Sequence, residues 1–282
     1  DAAGAAKNLG MADIVTIGHS SRSDIQINLQ STIGDVIAEF PAGWKPDFYL
    51  CDMVEDHPPP LNLSSAPFPT FYSTQDFDRH YHHCRSILSE FDASIAFGSI
   101  FHKELEKLTN GPTFVCPLLM GVDTLDTHMD LEPKEFDIFV SGNLFNHSKQ
   151  KTKYLWELSQ LSEKYTLKYV NTHTTVEKYK EYLRKSKYTF TYVQNWGITN
   201  SRAFEAIIEG CGAFFQEGSE LGIFLSDCAE AVSYREDDLI SVVGETLENW
   251  SQKSTEETRS SADKTRKIYQ FDGCRERYIK LI

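Results

Sequence analysis

Residues 197–217 read GITNSRAFEAIIEGCGAFFQE, and they hold a complete joint between two elements. Thr199, Asn200 and Ser201 are residue types that open helices, because their side-chain oxygens accept from the unpaired first N–H groups. The apolar run that follows carries helical spacing up to Gly210. Gly210 and Gly212 end that helix and start a strand within two residues. The strand, GAFFQ, is apolar at almost every position, as expected of a strand covered on both faces. Two charges sit badly in this picture. Arg202 falls in the first turn, where the helix dipole disfavours a cation, unless an anion binds in front of it. Glu205 lies three residues on, on the same face. One reading makes Arg202 and Glu205 an anion and ribose site; an amphipathic helix with an Arg202–Glu205 surface pair fits the same pattern.

The joint repeats along the chain. Strands are predicted at 13–18, 47–52, 69–73, 92–97 and 113–118, with helices at 24–40, 78–90 and 99–109. After a polar stretch, 121–135, the alternation resumes. Strands are predicted at 136–141, 166–170, 188–193, 212–216 and 230–233, and helices at 148–164, 174–186, 200–210, 218–226, 236–250 and 254–280. Alternation of this kind specifies an α/β chain with parallel sheets built from βαβ units. The polar stretch divides it into a domain over 1–128 and another over 134–267. Residues 1–10 read as the tail of a helix, so either the first domain lacks its first strand or the sequence is a fragment. The proline-rich segment 55–68 is expected to be a surface loop beside a strand end.

Bulk properties narrow the function classes. The net charge of −13 over 282 residues works against broad binding to nucleic acid or an anionic bilayer. No run reaches the roughly 20 apolar residues of a membrane helix. The six cysteines are scattered without a CxxC pair, which fits buried free thiols in a cytoplasmic protein. No GxGxxG follows a strand, which argues against a dinucleotide oxidoreductase.

Three motifs carry a family resemblance. Arg202, Phe204, Glu205, Ala206 and Gly210 spell Arg-x-Phe-Glu-Ala-x-x-x-Gly. This is similar to the donor-binding segment of GT-B glycosyltransferases of the CgeB-like group, relatives of glycosyltransferase family 4. Residues 117–123, PLLMGVD, resemble the family's Pro-x-x-Gly-Val-Asp at the end of the first domain. Residues 139–143, FVSGN, resemble the first strand and loop of the second domain. The three occur in the family's order, and the resemblance covers roughly residues 90–282. Position 197, eight before Glu205, is a second glutamate in many family 4 enzymes and is Gly197 here.

The resemblance implies two Rossmann-like domains facing across a cleft, with residues 268–282 returning to the first. It implies a glycosyltransferase that uses a UDP- or GDP-sugar as donor and needs no other cofactor and no metal. Gly142, Asn143, Lys149, Asn171, Thr199, Asn200, Ser201, Arg202 and Glu205 are then the donor-binding set. Arg202 would stabilise the leaving diphosphate. The acceptor, unidentified, falls to the first domain. There His19 follows a strand, and Asp76 is a candidate base; capping of the helix near 78 is its plainer role. The run His80-Tyr81-His82-His83 places only His80 and His83 on one helix face, with no third ligand at helical spacing. A GT-B-like protein that binds a nucleotide or sugar without chemistry is the alternative, and a two-lobed solute-binding protein shares the paired α/β architecture.

Overall fold

The computed structural model describes residues 10, 12–52, 58–74, 81–97, 102–116, 132–142, 149–171, 174–192, 201–219, 221–225 and 228–269. The chain divides into two compact units between Pro117 and Leu118.

The first unit opens with two short parallel strands, β1 (Ile17–Gly18) and β2 (Ile25–Gln26), before helix α1 (Ile33–Ala38). The sequence suggested one helix over 24–40. Instead Ile25 and Ile27 are buried while Gln26 and Asn28 are exposed, a period of two that no helix produces. Thr32 then starts α1 by a capping box with Asp35. Four strands follow in parallel, β3 (Tyr49–Asp52), β4 (Thr70–Thr74), β5 (Ala93–Phe97) and β6 (Thr113–Cys116). Helices α2 (Tyr81–Ile87) and α3 (His102–Glu106) lie between the later ones. Sheet order equals chain order, so every crossover steps the same way.

The second unit has a different winding. Its strands are β7 (Phe136–Ser141), β8 (Leu167–Val170), β9 (Ser186–Phe190), β10 (Gly212–Gln216) and β11 (Ala231–Tyr234). Helices α4 (Lys149–Gln160), α5 (Val176–Arg184), α6 (Arg202–Ile208), α7 (Leu221–Leu225), α8 (Leu239–Glu248) and α9 (Thr255–Tyr269) follow in turn. All pairings are parallel, in the order β11-β10-β9-β7-β8. The winding therefore reverses at the β7/β9 pair. Alternate residues feed opposite faces. Phe139 and Phe215 meet Leu183, Phe204 and Ile207 from α5 and α6. Ile138, Val140, Phe190 and Phe214 meet Tyr154, Leu158 and Val243 from α4 and α8. This double cover is why the strands are apolar at nearly every position.

Helices α5 and α6 are tied together at their carboxyl ends. Helix α6 ends on Gly210 at φ +73°, with Gly210 N–H donating to the Ile207 carbonyl and Cys211 N–H to that of Ala206, the two bonds of a Schellman turn. The Lys134 ammonium donates to the carbonyls of Arg184 (2.7 Å) and Gly210 (2.8 Å), so one cation serves the negative ends of both helices. Burial lowers its pKa. Beside it, burial pushes the Cys211 thiol up to about 12. Arg184 Nε donates to Glu209 Oε2 at 2.6 Å, and Glu209 is only 1% exposed. Among the described residues, nothing hydrogen-bonds the other Glu209 oxygen, and burial raises its carboxyl pKa despite Arg184.

The two partners should respond differently to removal. Arg184→Met strands a buried carboxylate and is expected to cost about 3 kcal/mol in urea unfolding. Glu209→Gln keeps a polar partner without the charge and should lie within about 1 kcal/mol of wild type at pH 7. The folded state holds the Glu209 proton more tightly than the unfolded chain. Stability therefore falls as pH rises from the unfolded value, about 4.3, through the raised folded value. Glu209→Gln should flatten that slope; equal slopes in both proteins would remove the buried charge as its source.

Candidate functional site

In an open doubly wound sheet, ligands lie outside the carboxyl ends of the strands where the winding reverses. Here that point is the end of β7 beside the end of β9. Strand β7 ends at Ser141, and Gly142 follows at φ +108°, a conformation side chains rarely adopt. Its N–H donates to the Val170 carbonyl of β8, which fixes the turn. The Arg202 side chain arrives from the first residue of α6. Its Nη2 lies 3.0 Å from where a Cβ on Gly142 would stand, so the guanidinium rests against bare backbone.

Glu205 lies one turn further along α6. Its Oε2 accepts from the Tyr179 hydroxyl at 2.9 Å. Burial and the Glu205 charge push the Tyr179 phenol well above its usual range, while Arg202 and the Ser141 hydroxyl pull the other way. Ser141, Gly142, Tyr179, Arg202 and Glu205 thus form one interacting group at the reversal point. It pairs a cation and a carboxylate, both partly exposed, across a glycine turn.

The predicted residues distribute as follows. Gly142, Arg202 and Glu205 come together. Ser201 precedes α6, but its own backbone is helical and its side chain makes no capping bond. The capping role expected of it is therefore not played. With seven residues, α6 is also short, so any pull on an anion falls to the Arg202 side chain rather than to the helix end. Asn171 follows β8 directly, and Lys149 opens α4, exposed. Asn143, Thr199, Asn200 and Asp76 lie outside the described residues, as does His80. His19 sits in the first unit just after β1, its Nε2 3.4 Å from the Pro58 carbonyl. Tyr179 and Ser141 were not singled out in the sequence. Tyr179 reads as a core position of the helix VEKYKEYLR. One signal was present: a helix after a strand begins at that strand's carboxyl end, so a hydroxyl-bearing ring in its first turns lies on the ligand edge.

A cavity of about 430 Å³ opens at the opposite edge of the sheet, against Lys187, Tyr188, Gly212 and Trp250. Its cations are already engaged: Lys134 on two carbonyls, Lys187 on Asp137 at 2.6 Å, and Lys253 on Glu230. It offers an anion little. Among the described residues no three His, Cys, Asp or Glu side chains gather as a metal site requires. No helix among them is long and apolar enough to cross a membrane.

No protein-family model and no curated protein matches the chain by sequence. Solved structures do share its fold. It is similar to a trehalose-6-phosphate synthase studied for glycosyl transfer with retention, at TM-score 0.59 and 11% identity over 88% of this chain and 75% of that one. It is similar to the sucrose-phosphate synthase of Thermosynechococcus elongatus, at TM-score 0.53 and 10% identity over 85% and 74%. A third is AviGT4, a glycosyltransferase of avilamycin A biosynthesis, at TM-score 0.51 and 12% identity over 93% and 80%. These are GT-B glycosyltransferases, and the parallel α/β fold expected from the sequence is the fold found.

The glycine turn gives a direct test. Gly142→Ala combines strain at φ +108° with a contact on the guanidinium. It is expected to cost about 1–3 kcal/mol. A crystal structure of the variant should show Arg202 displaced; an unshifted Arg202 with unchanged unfolding temperature would contradict the close approach.

Proposed function

We propose that the protein is a glycosyltransferase that moves a sugar from a UDP- or GDP-sugar to an acceptor hydroxyl, with the donor on the second unit. The observation that carries this is the Arg202 guanidinium held against Gly142 at the winding reversal, in a fold shared with glycosyltransferases. An Arg there offers a fork of N–H donors to a diphosphate. As the bond from the anomeric carbon to the diphosphate oxygen breaks, negative charge grows on the diphosphate and Arg202 stabilises it. Gly142 lets phosphate oxygens approach the backbone. Lys149, Asn143, Thr199, Asn200 and Ser201 flank the same position in the chain, and Asn171, after the neighbouring strand, is assigned to the base.

Glu205 is assigned to the ribose hydroxyls. The acceptor oxygen attacks the anomeric carbon and gives its proton to a base, for which Asp76 and His19 are the candidates. The CgeB-like assignment rests on the three sequence motifs. A cytoplasmic location is supported by the buried, non-disulfide cysteines Cys51, Cys84 and Cys211.

Calorimetry with UDP and GDP should find one of them binding the wild-type protein. Arg202→Ala should weaken that binding about ten- to a hundredfold, the scale of a lost charge-assisted hydrogen bond. Incubation with UDP- and GDP-sugars and a panel of hydroxyl acceptors should release the matching diphosphate. Binding that survives Arg202→Ala unchanged would overturn the assignment of the site; binding without release from any donor would overturn the transfer.

A further inference from the structure

We infer that Tyr179 is a positioning residue for the nucleoside: its hydroxyl holds one oxygen of Glu205 so that the carboxylate faces the two ribose hydroxyls. This rests on the donor-site reading above and goes beyond it by naming how the carboxylate is set.

Two features of the chain support it. The Tyr179 ring is fixed by the core rather than by the site. It packs on Phe139 of β7, ring centroids 5.9 Å apart, within the cluster that contains Leu183 and Phe204. Its hydroxyl therefore occupies a position set by packing, 2.9 Å from Glu205 Oε2. Among the described residues no other hydrogen bond reaches that carboxylate, so Glu205, partly exposed at the end of its side chain, would otherwise sample several rotamers.

Donation also has a fixed direction. The buried phenol stays protonated across the physiological range, so it gives a hydrogen bond and never competes with ribose as a charge. With Oε2 engaged, the remaining lone pairs of Glu205 are directed to a bidentate acceptor geometry, which suits a vicinal diol.

The test compares ribose with a ligand that lacks the diol. Wild-type protein is titrated with UDP and GDP, and then with the 2′,3′-dideoxy form of whichever binds. The wild type should prefer the ribonucleotide. Tyr179→Phe should weaken it about tenfold while leaving the dideoxy affinity unchanged. Glu205→Gln should lose the same preference, and the double variant should lose little more than either single one, because the two side chains act as a unit. Equal loss for both ligands in Tyr179→Phe would make the tyrosine a packing residue and overturn the inference. So would an unchanged preference. A wild type that binds the diphosphate with no ribose preference removes the roles of both Tyr179 and Glu205 but leaves Arg202. A wild type that binds neither UDP nor GDP removes the donor site itself, and this inference with it.

Discussion

The edge of the second unit that carries the candidate site is held in place from its far side. Lys134 bonds the last carbonyl of α5 and that of Gly210 just past α6, and Arg184 of one helix pairs with Glu209 at the end of the other. Each helix then runs back to the ligand edge over one to three turns. At 1.5 Å per residue, α6 is about 10 Å long, short enough to act as a rigid lever. The groups at its start, Arg202 and Glu205, and Tyr179 on α5, inherit their spacing from contacts made at the opposite edge. The buried carboxylate at the tie is costly in isolation and tolerable only with Arg184 beside it.

The strands were legible because double cover leaves a plain mark, a run without polar gaps such as GAFFQ. Helix α6 was legible from Arg202 to Gly210 for a similar reason. The span 24–40 was misread because Ile25 falls on the same helical stripe as Ile33 and Val36, although Ile27 does not. Strand order has no local trace at all. Nothing in the residues of β7, β8 and β9 says that β7 lies in the middle, so the reversal beside the candidate site became visible only in the sheet.

The candidate site was half legible. Arg202 and Glu205 stood out because a helix start and a core face do not favour them. Gly142 stood out as a glycine after a strand. Tyr179 did not, because its ring does the ordinary work of a core aromatic, and the hydroxyl uses the far end of the same side chain. Ser201 was expected to cap α6 on residue type, yet the backbone before the helix is already helical, which leaves its hydroxyl no N–H to accept from.

The contact between Gly142 and Arg202 also constrains how this chain can change over time. A side chain at 142 meets both the left-handed backbone and the guanidinium, so a substitution there is easier to accommodate after residue 202 has shortened, but it stays strained. Once it has, the contact no longer counts against a side chain, while φ +108° still favours glycine. Loss of the cation therefore relaxes one of the two constraints on residue 142 and leaves the other in place.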